Sequence, residues 1–83
     1  MQVQLMYFAS LREALGATET VEVSPGTTVG QLRDQLIALG EPHTTALSRE
    51  HTVRAALNQT LCPEAAEISD GAEVAFFPPV TGG

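Results

Sequence analysis

A chain of 83 residues, 43% of them hydrophobic, predicts one domain with a single small core and is too apolar for disorder. Ten acidic residues stand against four arginines and no lysine, and a net charge of −6 argues against nucleic-acid binding, which needs a basic patch. The lone Cys62 has no disulfide partner or metal-ligand cluster, no apolar run would span a membrane and no secretory signal opens the chain, so a reducing cytoplasm is expected.

Residues 1–8 alternate with a period of two and predict a strand with Val3, Leu5 and Tyr7 on its core face. The opposite face begins with Gln2 and Gln4 and ends with Met6 and Phe8, which the pattern leaves uncovered. Ser10 is placed to cap a helical turn over residues 11–15, with Gly16 to stop it. Residues 18–23 read as a second strand, hairpin-paired with the first, with Val21 and Val23 inward and Glu22 outward. Ser24-Pro25-Gly26 turns the chain.

Thr28 followed three residues later by Gln31 is a capping box and opens the one long helix. At about 100° per residue, Val29, Leu32, Leu36 and Leu39 fall in a core-facing stripe about 80° wide, with Arg33 and Asp34 off it and Gly40 placed as the stop. Residues 41–52 are polar and read as a loop; their His43 and His51 form no metal-ligand arrangement. Residues 53–57 and 60–62 read as strands joined at Asn58-Gln59. Cys62, beside Pro63, reads as a buried structural thiol. Residues 64–69 read as a loop or a helical turn, Asp70-Gly71 as a turn, and residues 73–77 as the last strand. This order predicts an α+β domain: a mixed four- to five-stranded sheet on one main helix, for which the β-grasp is the small fold that fits.

No catalytic constellation appears. Ser10, Ser24, Ser48 and Ser69 lack a positioned base, and Gly26 and Gly30 are followed by no lysine that would make a phosphate loop. The acidic residues sit at turns and outward strand positions, as on a solvated face.

The tail offers more chemistry. Pro78 and Pro79 end the last strand, because they fix φ and remove two donors. From about residue 78 the chain is expected to project, reaching at most about 20 Å. Gly82 and Gly83 carry no Cβ and suit a narrow slot. A terminal carboxylate is ionised at neutral pH and can attack the α-phosphorus of ATP, giving an acyl-adenylate open to sulfur. Such steps require insertion into another protein's active site. If Val74 and Phe76 of the last strand face the core, parity leaves Phe77 outside with Phe8 and Met6, joined by Leu61, with Arg12 at the rim; Phe77 packed under a loop is the alternative. Most termini simply fray, so an interaction module with incidental glycines stays open.

The strand Glu73-Val74-Ala75-Phe76-Phe77 and the stem Pro78-Pro79-Val80-Thr81-Gly82-Gly83, with Ala56-Leu57-Asn58-Gln59 and residues 7–13, resemble the small subunits of molybdopterin synthase. That family of sulfur carriers has the ubiquitin-like β-grasp fold, and the resemblance covers essentially the whole chain. It implies that an E1-like adenylyltransferase uses ATP to activate Gly83, that sulfur transfer makes a C-terminal thiocarboxylate, and that no cofactor or metal is bound by this chain. It further implies that Pro78, Pro79, Val80, Thr81 and Gly82 thread into the large subunit, where sulfur passes to cyclic pyranopterin monophosphate within a heterotetramer of two large and two small subunits. Family large subunits supply lysines and arginines around the tail, which suits an acidic carrier. Gly-Gly alone is shared with thiamine-pathway sulfur carriers and ubiquitin-like modifiers, and both remain alternatives. One cysteine is too few to hold an iron–sulfur cluster.

Overall fold

The alternating residues Val3, Leu5 and Tyr7 of β1 (Gln2–Tyr7) are buried, as are Val74 and Phe76 of β5 (Glu73–Phe77). These two strands lie parallel at the centre of the sheet, with Leu5 beside Val74 and Tyr7 beside Phe76. The structure, a computed structural model, describes residues 1–79. β2 (Thr18–Glu22) runs antiparallel along the free side of β1, its connection carrying the short α1 (Ser10–Leu15). β3 (Arg54–Leu57) runs antiparallel to β5, and β4 (Thr60–Cys62) closes the other edge, giving the order β2-β1-β5-β3-β4. Five strands, one long helix and two short ones make the expected α+β architecture. No helix among the described residues is long and apolar enough to cross a membrane.

α2 (Val29–Ile37) lays Val29, Leu32 and Leu36 on the inner face of the sheet, each completely buried. Its start leaves no early donor idle. The Gln31 N–H donates to Thr28 Oγ1 at 3.2 Å and the Thr28 N–H donates to Gln31 Oε1 at 3.0 Å, as the capping box requires. The N–H groups of Val29 and Gly30 donate to the carbonyls of Ala66 and Glu64, at 3.0 and 2.9 Å. The approach is close: a Cβ at position 30 would meet the Glu64 side chain at 3.0 Å, so Glu64 would have to shift by a few tenths of an ångström to admit one.

The helix stops at Ile37, so Leu39 lies beyond the stripe and is 61% exposed. Gly40 (φ 99°) instead turns the chain toward α3 (His43–Ala46). Ser10 is not a cap: it is the first helical residue, and the Phe8 carbonyl accepts the Leu11 and Arg12 N–H groups at 3.2 and 3.4 Å. Cys62 is only half-buried, because β4 is an edge strand; burial still raises its thiol pKa.

The largest departure from the sequence pattern is Arg33, 4% exposed although it lies off the leucine stripe. Residues 41–52 are more than a loop: they hold α3 and bury Leu47 completely, folding over that flank of α2. Arg33 Nε donates to the Leu47 carbonyl at 2.8 Å, and Nη2 to the carbonyls of Ser48 and His51 at 2.8 and 3.0 Å. Its Nη1 meets Glu64 Oε2 at 3.0 Å. Arg49 pairs with Glu64 and Asp34 and donates to the Gly30 carbonyl, so two arginines tie three segments together. Across the domain, Glu19 Oε2 accepts the Tyr7 hydroxyl at 3.0 Å and lies 2.9 Å from His43 Nε2, which clasps α3 to β2. Burial, and then the Glu19 charge, push the Tyr7 phenol well above its ordinary range.

Replacing Arg33 with leucine strands three carbonyls that water reaches poorly, and should cost about 2–4 kcal/mol in urea unfolding. A cost indistinguishable from zero would contradict the network. The hydrogen bond from Arg49, opposed by partial burial and helped by Arg33, holds the Glu64 carboxyl below its ordinary 4.5. Its stabilising contribution is therefore complete above about pH 4.5 and is lost as pH falls further toward the folded-state value. Glu64→Gln should flatten the stability profile in that acid window, measured by urea midpoints against pH.

Candidate functional site

β-strand registers settle what the outer face of the sheet carries. Cross-strand partners share a face, so Met6, Ala75, Ala56 and Leu61 form one row across β1, β5, β3 and β4. The next row toward the tail contains Phe77 of β5 opposite Arg54 of β3. Phe8 follows β1 on the other side of Phe77, and its N–H donates to the Phe76 carbonyl at 3.3 Å. Phe8 is 43% and Leu61 68% exposed, while Met6, Ala56, Ala75 and Phe77 are half-covered by their neighbours. An uncovered apolar patch of this kind, among the described residues, has the character that interaction surfaces share.

The strand pairings thus place Met6, Phe8, Leu61 and Phe77 on one outer face of the sheet. Arg12 lies off the sheet on α1, exposed, one helical turn beyond Phe8. Pattern reasoning missed Ala56, Ala75 and Arg54. Parity places each on an outer face, but their adjacency follows from the pairing of β3 with both β5 and β4, which no single strand reveals. The left-handed turn Asn58-Gln59 (φ 49° and 69°) was the available signal for the second pairing.

The stem begins beside this face. Pro78 is half-buried and Pro79 exposed, and both line a groove of about 490 Å³ with Leu11, Ala14, Ala46 and Val53. The remaining predicted site residues, Val80, Thr81, Gly82 and Gly83, lie outside the described residues. Among the described residues, the polar groove side chains Ser10, Glu50 and His51 make no hydrogen bond with one another.

The sheet order and the one long helix among the described residues define a ubiquitin-like β-grasp domain. The chain belongs to the ThiS family, whose model matches residues 5–83. It is 40% identical over 81 residues to the molybdopterin synthase sulfur carrier subunit of Escherichia coli (strain K12), covering 98% of this chain and 99% of that protein. The protein of the same description from Mycobacterium tuberculosis (strain H37Rv) is 40% identical over 84 residues, covering 99% of this chain and 98% of the relative. Among solved structures, the H. volcanii small archaeal modifier protein 1 superposes with a TM-score of 0.76 at 26% identity, covering 95% of this chain and 98% of that one.

Because Phe8 and Leu61 contribute little to the core, Phe8→Ser and Leu61→Ser should each change unfolding stability by no more than about 0.5–1 kcal/mol. Phe76→Ala, whose ring stacks on Tyr7 at 6.5 Å between centroids, should cost about 3–5 kcal/mol. Thermal melts of the three variants check the division between face and core.

Proposed function

We propose that this chain is the sulfur-carrying subunit of a molybdopterin synthase. The observation that carries the reading is 40% identity over nearly the whole length of both chains to a sulfur carrier subunit of that enzyme. The apolar face at the stem supports it, since a carrier must be held by its partners while its end is worked on.

Gly83 is the working residue. Its carboxylate attacks the α-phosphorus of ATP in the active site of an E1-like adenylyltransferase, and pyrophosphate leaves. A sulfur nucleophile then adds to the acyl-adenylate carbonyl and AMP departs, leaving a thiocarboxylate. The stem and tail, Pro78, Pro79, Val80, Thr81 and Gly82, thread into the large subunit, where the sulfur passes to cyclic pyranopterin monophosphate. Two large and two small subunits make the working heterotetramer, in the cytoplasm. ATP is consumed by the activating enzyme, so the carrier needs no cofactor of its own. Met6, Phe8, Leu61 and Phe77, with Arg12 at the rim, form the docking surface for both partners. The pre-set proline stem limits the entropy lost on insertion.

Likeness to an archaeal modifier protein favours a second reading, in which Gly83 is joined to lysines of other proteins. A thiamine-type carrier would share the adenylation step and differ in the acceptor.

Intact mass spectrometry separates these readings. Incubation with ATP, a sulfur donor and the activating enzyme should add about 16 Da as oxygen is replaced by sulfur. Conjugates to other proteins without that gain would favour the modifier. Deleting Gly83 should abolish sulfur delivery to the pyranopterin but leave large-subunit binding in place. Phe77→Ala should weaken that binding without unfolding the domain, and unchanged affinity would remove Phe77 from the interface.

A further inference from the structure

The chain has four arginines and no lysine, and their distribution is uneven. Arg33 and Arg49 are consumed by the internal network with Glu64, Asp34 and backbone carbonyls. Arg12 and Arg54 make no side-chain hydrogen bond or ion pair among the described residues, although the chain carries ten acidic groups. Both stand at the tail end of the domain. Arg54 is exposed and is the direct cross-strand neighbour of Phe77, the last residue of the strand that becomes the stem.

Two consequences follow from that position. Arg54 is held in a strand of the sheet, opposite the last strand residue before Pro78. The group it meets in a docked complex is therefore one on the protein surface laid against that face. The second consequence concerns direction. The row Met6, Ala75, Ala56 and Leu61 is apolar and offers adhesion with no directional bond, so by itself it lets a partner slide along the sheet. A guanidinium presents a planar fork that accepts a carboxylate in one geometry, and such a contact fixes register. Any slip at the root is carried along the stem to Gly83, where small misplacements are costly to reaction rate.

We infer that Arg54 is a specificity-determining contact of the docking face, taking an aspartate or glutamate carboxylate on the large subunit beside the site that receives Phe77, and so setting the register in which the tail enters. The inference rests on the proposed carrier function and names the partner chemistry that would recognise this end of the sheet.

The test uses the full chain and its cognate large subunit. Affinity is measured by calorimetry at low salt and at about 0.5 M salt, where exposed charge pairs are screened. Arg54→Gln should weaken binding roughly tenfold at low salt and Arg54→Glu more, while Arg54→Lys retains part of the affinity. The gap between wild type and Arg54→Gln should shrink at high salt. Because the Arg54 side chain has no partner among the described residues, all three variants should melt with the wild type, which separates a docking role from a structural one. Wild-type affinity for Arg54→Glu at low salt, or an equal loss for all three variants at both salt concentrations, would overturn the inference while leaving the carrier function standing. Failure of the wild-type chain to bind the large subunit would overturn both.

Discussion

At the centre of the sheet the first and last strands run side by side in the same direction, Leu5 against Val74 and Tyr7 against Phe76. Parallel neighbours cannot be joined by a tight turn, so everything between them must form the crossover and its cover. α2 fills that role with three fully buried residues, and the β3–β4 hairpin is left to pair with the exposed side of β5. The same pairing decides where the stem leaves. β1 and β5 end together, so Phe8 and Phe77 stand side by side where Pro78 begins.

Much of this was legible in the residues, for reasons that differ from element to element. The alternation of β1 is strong because one face is completely buried. Thr28 and Gln31 announced the helix start because a capping box is local chemistry that needs no tertiary partner. Arg33, Leu39 and Leu47 were not legible in the same way. Helical periodicity reports the face turned to the sheet, and is silent about a second segment closing over the flank. Leu39 looked like core because the stripe was extended past the point where the backbone stops being helical. Leu47 stood alone in a polar stretch, a position where pattern methods expect a loop. At the candidate site the split is similar: parity named Phe77, Phe8 and Met6, while Ala56, Ala75 and Arg54 needed the pairing of three strands.

The domain separates its chemistry spatially. Buried and half-buried charge is spent on architecture, in the arginine network on one flank and in the Tyr7–Glu19–His43 clasp on the other. The outer face is polar at Gln2, Gln4, Thr20 and Glu73 and turns apolar toward the stem, at Met6, Phe8, Ala75 and Phe77, with Arg54 beside them.

β5 lies between β1 and β3 and is hydrogen-bonded to both. The turn at Asn58 adds to this, donating its N–H to the Glu73 carbonyl at 2.8 Å and accepting the Glu73 N–H on its side-chain oxygen at 3.0 Å. Traction applied along the stem therefore loads two ladders in shear, so that many hydrogen bonds must fail at once, whereas an edge strand would peel off one bond at a time. Pulling on Pro78 and Pro79 is thus resisted from both sides of β5, and the body stays whole while force acts where it ends.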